Sequence, residues 1–65
     1  MAQNPMDIIR LALEREKAAV QEYAQYAKTA EDPSIREMFL FLVEEEKKHV
    51  KLIQEEIEKE IYQEM

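Results

Sequence analysis

The 65 residues contain no cysteine and no glycine, and only two prolines. The first absence removes disulfides, thiolate metal sites and cysteine nucleophiles. The second removes the glycine loops that cradle phosphates and the glycine turns of β-hairpins. No run approaches the ~20 apolar residues that a bilayer-spanning helix requires, so no membrane partner is expected. The N-terminal Met1, Ala2, Gln3, Asn4 and Pro5 have neither the basic nor the apolar region of a signal peptide, which makes the expected location cytoplasmic. Basic charge is the minority. Nine Lys and Arg against fifteen Asp and Glu leave a net charge of −6, a field that repels nucleic acid and favours cations.

What is present is helix-forming. Charged residues make up 37% and hydrophobic residues 46% of the chain, a mixture rich in Ala, Leu, Glu and Lys that suits long amphipathic helices better than a disordered tail. The length allows one domain with a minimal core.

Asn4 and Pro5 mark the start of a first helix, with a side-chain cap followed by proline where its missing N–H costs nothing. Met6, Ile9, Leu13, Glu16, Val20, Tyr23, Ala27 and Ala30 then recur at alternating spacings of 3 and 4, a seam that packs helix against helix. This helix is expected over about residues 5–30. Glu31, Asp32 and Pro33 form the turn, because proline disfavours helical geometry at Asp32 and Asp32 can cap a new helix. A second helix is expected over about residues 33–63, with Ile35, Met38, Phe39, Leu42, Glu46, His49, Ile53, Ile57 and Ile61 on one stripe and Val43 and Val50 beside it. The fold class is therefore all-α, and residues 1–65 form a single antiparallel hairpin. One hairpin buries one face of each helix, and so short a chain without disulfides needs a staple. A homodimer, or a higher even oligomer, in which two hairpins form an antiparallel four-helix bundle is the simplest solution.

Three polar residues interrupt the apolar seams. Glu16 lies between Leu13 and Val20, while Glu46 and His49 lie between Leu42 and Ile53. Burying such groups is costly unless something pairs with them. With the turn between residues 31 and 32, Glu16 is about 15 residues before it, Glu46 about 15 after and His49 about 18 after, so an antiparallel hairpin with ~1.5 Å rise per residue brings all three to one height. Glu46 and His49, at i and i+3, project from one face and can grip one ion or two adjacent ions. Two chains would supply four carboxylates and two imidazoles, the donor set of di-iron and di-manganese carboxylate bundles. The four negative charges balance two divalent ions. The competing reading is that the three residues are core polar groups that set register.

Neighbouring residues carry weaker signals. Glu44 and Glu45 read as a solvated face paired with Lys47, Lys48 and Lys51. Tyr23 stands one heptad after Glu16, so its phenol can hydrogen-bond a ligand carboxylate or give up an electron near a metal; filling the core is the alternative. Met38, Phe39 and Phe41 read as packing residues.

The run from Ala12 to Tyr23 that includes Glu16, then Asp32 and Pro33, then Phe39 through Glu46 to His49 resembles half of a rubrerythrin-type, ferritin-like domain. The resemblance covers nearly the whole chain. It implies a ferritin-like bundle in which Glu16 is a terminal ligand, Glu46 a bridging carboxylate and His49 a terminal imidazole, with Tyr23 just behind them. Members of that family carry two such hairpins in one chain, so the missing half here must come from a second copy. The chain lacks the cysteine-ligated rubredoxin centre of full rubrerythrins, and Ala19 stands where one rubrerythrin half has an additional carboxylate. A symmetric site of four Glu and two His is closer to the ferroxidase centre of bacterioferritins.

The leading functional expectation is a dimer-shared di-iron protein, two Fe ions per dimer ~3.5–4 Å apart, that oxidises Fe(II) with oxygen or peroxide in iron homeostasis or oxidative stress. Manganese and zinc also suit these donors. The first alternative is a metal-stapled or plain helical dimerisation module with no turnover. The next is an iron-handling subunit of a larger shell or compartment, for which these residues show no docking peptide.

Overall fold

The computed structural model describes residues 4–64, with side chains from Asn4 to Ile61; the leading residues 1–3 of the signal-peptide argument lie outside the described residues. Two helices, α1 (Pro5–Thr29) and α2 (Pro33–Glu64), pack as an antiparallel hairpin, and no strand occurs among the described residues. This is the all-α hairpin that the seams and prolines imply.

The ends are set by local chemistry. The Asn4 side chain accepts a hydrogen bond from the Met6 amide at 2.8 Å, with Pro5 at the first helical position. Asp32 does the same for α2, accepting from the Ser34 amide at 2.8 Å and the Ile35 amide at 3.4 Å. Both caps satisfy amides that the first helical turn leaves without a partner. At the other end of α1, the Ala30 amide donates to the Tyr26 carbonyl at 2.9 Å, and the Arg36 guanidinium crosses the turn to donate to the Ala30 carbonyl at 2.9 Å. The turn is thus tied to both helices without a glycine.

Between the helices lies a narrow seam. On α1 every member of the expected stripe, Met6 through Ala30, is buried or half-buried. On α2 the facing seam is Phe39, Val43, Glu46, Val50, Ile53 and Ile57, at spacings of 4, 3, 4, 3 and 4. Met38, on the expected stripe, is instead 49% exposed. Met38 and His49 lie about 60–80° around the helix from Glu46, at 100° per residue, and so stand at the edge of the seam rather than in it. Ile61 is exposed because it lies on the part of α2 that projects past the start of α1.

Only Ala27 and Val43 are fully buried apolar residues among those described. The pair measures 49 × 25 × 11 Å, a single layer of helix with no second layer to close a core. No helix is long and apolar enough to cross a membrane among the described residues.

Candidate metal centre

The hairpin brings Glu16 of α1 together with Glu46 and His49 of α2. One ligand atom from each of the three lies within 4.8 Å of the others. The His49 Nδ1 is 3.8 Å from Glu16 Oε2 and 3.5 Å from Glu46 Oε2. This convergence follows from the antiparallel register, which sets residues equidistant from the turn at one height, and from the i, i+3 spacing within α2.

Burial grades across the cluster. Glu46, in the middle of the α2 seam, has a side chain only 17% exposed, Glu16 is 32% exposed, and His49 at the edge is 49% exposed. The buried Oε2 of Glu46 has no hydrogen-bond partner, since its contact with His49 lacks hydrogen-bond geometry. A buried carboxylate oxygen with nothing donating to it is unfavourable by roughly 1–3 kcal/mol or more. A cation bound between the two carboxylates and the imidazole would remove that cost, so the donor set fits a divalent metal: two hard oxygens and one borderline nitrogen, as Fe(II), Mn(II) and Zn(II) accept.

The surroundings differ in kind from the cluster. Lys47 pairs with Glu44 and Lys48 with Glu45, each at 3.3 Å, and Lys17 with Glu14 at 4.0 Å. These are solvent-facing pairs one helical turn apart, each contributing little stability. Tyr23 lies a heptad from Glu16 and packs against Phe39 at 6.1 Å between ring centroids, and Tyr26 meets the same ring at 5.3 Å. Among the described residues the Tyr23 hydroxyl makes no hydrogen bond, so its visible contribution in the hairpin is packing. A groove of about 420 Å³ lined by Lys17, Val20, Gln21, Lys47 and Val50 contains none of the three converging residues. It is the outer furrow between the helices rather than the place where the carboxylates meet.

The sequence pattern located all three converging residues, but it did not show that His49 would stand at an open edge. The usable signal was the pair Val43 and Val50, whose β-branched side chains compete with Met38 and His49 for the inner side of α2.

Two known sequence groups resemble the chain. Among curated proteins, the encapsulin nanocompartment cargo protein EncB of Myxococcus xanthus (strain DK1622) is 45% identical over 42 residues, which cover 65% of this chain and 27% of that protein. The chain thus matches little more than a quarter of that relative's length. No solved structure matches the chain. The rubrerythrin family model matches residues 2–65, a span that takes in both helices, the turn and all three converging side chains, and the chain belongs to the rubrerythrin family.

Proposed function

We propose that two copies of the chain share a pair of metal ions held by Glu16, Glu46 and His49 of each, and that Fe(II) bound there is oxidised by oxygen or peroxide. The observation that carries this reading is the unpartnered, buried Glu46 oxygen inside a three-donor cluster. A register-setting polar group would be expected to have its hydrogen bonds satisfied within the hairpin.

One hairpin supplies two carboxylates and one imidazole, too few for a pair of ions. Two copies supply four carboxylates, enough to neutralise two divalent cations, and two imidazoles. In this arrangement Fe(II) is the substrate: two Fe(II) ions supply the two electrons that, with two protons, convert hydrogen peroxide to two waters. The protein's part is to place and balance charge. Glu46 holds its carboxylate deep in the seam, Glu16 faces it from the other helix, and His49 reaches in from the edge. The metal pair supplies the two-electron redox chemistry.

Anaerobic Fe(II) titration of the metal-free protein tests the reading. One Fe(II) per chain, followed by oxidation on admitting oxygen or peroxide much faster than in buffer, is expected. Tight binding with no acceleration would leave a structural metal staple, and no binding would leave Glu16 and Glu46 as polar groups of the seam with His49 at its edge.

A second reading concerns where such a protein works. The 45% identity to an encapsulin nanocompartment cargo protein favours a role as iron-handling cargo inside a protein shell. Co-expression of the full chain with an encapsulin shell protein, followed by isolation of assembled shells, tests it. Finding this chain inside supports the reading, and empty shells count against it.

A further inference from the structure

Charge is divided unevenly around the hairpin. Arg10, Lys17 and Lys28 of α1 and Arg36, Lys47 and Lys51 of α2 are all exposed. Each lies about 60–140° around its helix from the inner seam, in the same sense, and antiparallel pairing turns these positions to one flank. Six of the nine basic residues are therefore gathered there, against Asp7, Glu14 and Glu58 at the same angles. The flank is positive on a chain whose net charge is −6.

The furrow of about 420 Å³ runs along this flank, and none of Glu16, Glu46 and His49 lines it. Its floor is apolar, with Ala18, Val20 and Val50 between Lys17 and Lys47. Nearer the turn Leu40 stands 51% exposed on the same side.

The basic groups that border the furrow are in register. Counted from the turn between residues 31 and 32, Lys17 and Lys47 stand within one residue of the same height, and so do Lys28 and Arg36. Each helix thus repeats a basic residue after 11 positions, Lys17 to Lys28 and Arg36 to Lys47. At ~1.5 Å per residue this makes two positive rungs about 16 Å apart, or about three turns of an α-helix. A third helix laid in the furrow would therefore present the same side to both rungs. Lys17 and Lys47 pair with Glu14 at 4.0 Å and Glu44 at 3.3 Å, farther out on their own helices. Such solvent-facing pairs contribute little, so a partner's carboxylates can replace them. Arg36 uses one N–H group on the Ala30 carbonyl and has others left to donate.

We propose that this furrow receives an acidic amphipathic helix of a partner protein. Its narrow apolar stripe lies on Ala18, Val20 and Val50, and its carboxylates, on both sides of the stripe and three turns apart, meet the two rungs. An apolar helix face laid in a groove is a general mode of recognition, and the bordering charges fix the register. A nucleic acid fits less well, because the aromatic rings that would stack bases, Tyr23, Tyr26, Phe39 and Phe41, lie in the seam or on the opposite flank. Two copies of this flank would repel each other.

Fluorescence anisotropy of labelled synthetic helical peptides against the full chain tests the proposal. One peptide carries a leucine stripe bordered by two pairs of Glu three turns apart, and a second of the same composition sets the pairs two turns apart. The first is expected to bind several-fold more tightly, and less tightly as salt is added. Reversing one rung with Lys17→Glu and Lys47→Glu should weaken it about tenfold or more, and replacing the facing Glu pair of the peptide with Lys should restore binding to that variant. Lys28→Glu, on the other rung, should weaken the first peptide as well. Unchanged helical circular dichroism, expected because these side chains are exposed, separates lost binding from lost folding. Absence of binding, equal binding of the two peptides, or indifference to the reversals would overturn the proposal. A DNA duplex that displaced the first peptide at equal concentration would assign the flank to nucleic acid instead. Self-association by sedimentation that the same reversals abolished would assign it to a further copy of the chain, and either result overturns the acidic helix.

Discussion

Replacing Glu46 with leucine sets stability against metal binding. In the metal-free hairpin the Glu46 side chain is 17% exposed and its buried Oε2 has no hydrogen-bond partner. Leucine matches its helix propensity closely and would add apolar contact with the flanking Val43 and Val50. Removing an unsatisfied buried polar group is worth about 1–3 kcal/mol. In a small domain each kcal/mol moves the midpoint by about 4–8 °C, so Glu46→Leu is expected to melt roughly 5–20 °C above the natural chain when both are metal-free. The order should then narrow or reverse on adding Mn(II) or Zn(II). The natural chain gains about 2.7 kcal/mol at a free metal concentration 100-fold above its dissociation constant, whereas the variant gains none. Thermal melts followed by helical circular dichroism, at one fixed protein concentration because association shifts the midpoint, read both effects. A metal-free variant less stable than the natural chain would refute the claim that Glu46 is held at a cost. A variant that still gained stability from metal would remove Glu46 from the centre.

Two further outcomes are expected. His49→Ala should weaken metal affinity by at least the ten- to hundredfold that loss of even a supporting group typically costs, while helix content without metal stays the same because the imidazole stands at the seam's edge; equilibrium dialysis with Mn(II) measures it, and unchanged stoichiometry and affinity would exclude His49. Asp32→Ala removes the acceptor of the Ser34 amide and should destabilise the hairpin by about 1 kcal/mol, lowering the melting midpoint by several degrees without changing metal stoichiometry.

Much of the hairpin can be read from short-range chemistry. Asn4 and Asp32 cap the helices because their short side chains reach the amides that the first turn leaves free, and each is followed by a proline that cannot extend a helix backwards. The level of the cluster is also legible, since in an antiparallel pair height depends on distance from the turn, and Glu16 and Glu46 are equally far from it. The resemblance to the rubrerythrin family is carried by the same residues, and the family model matches along the chain.

The tertiary structure decided which side of α2 faces α1. Two apolar stripes compete there, one through Met38, Leu42 and His49 and one through Phe39, Val43 and Val50, each one residue and so about 100° from the other. Periodicity cannot rank two such stripes. Packing can, because Phe39 fills the space beside Tyr23 and Tyr26 and the compact valines let α1 approach at mid-length. That choice rotates α2 so that Glu46 is carried inward and stripped of partners while His49 is left at the rim. It also turns Phe41 and Leu52 to solvent on the same side. The sequence by itself determined two capped helices, their turn and the height at which Glu16, Glu46 and His49 meet. Only the packed pair decided how deeply each of these side chains lies and which face remains uncovered, because those depend on the rotation of one helix against the other.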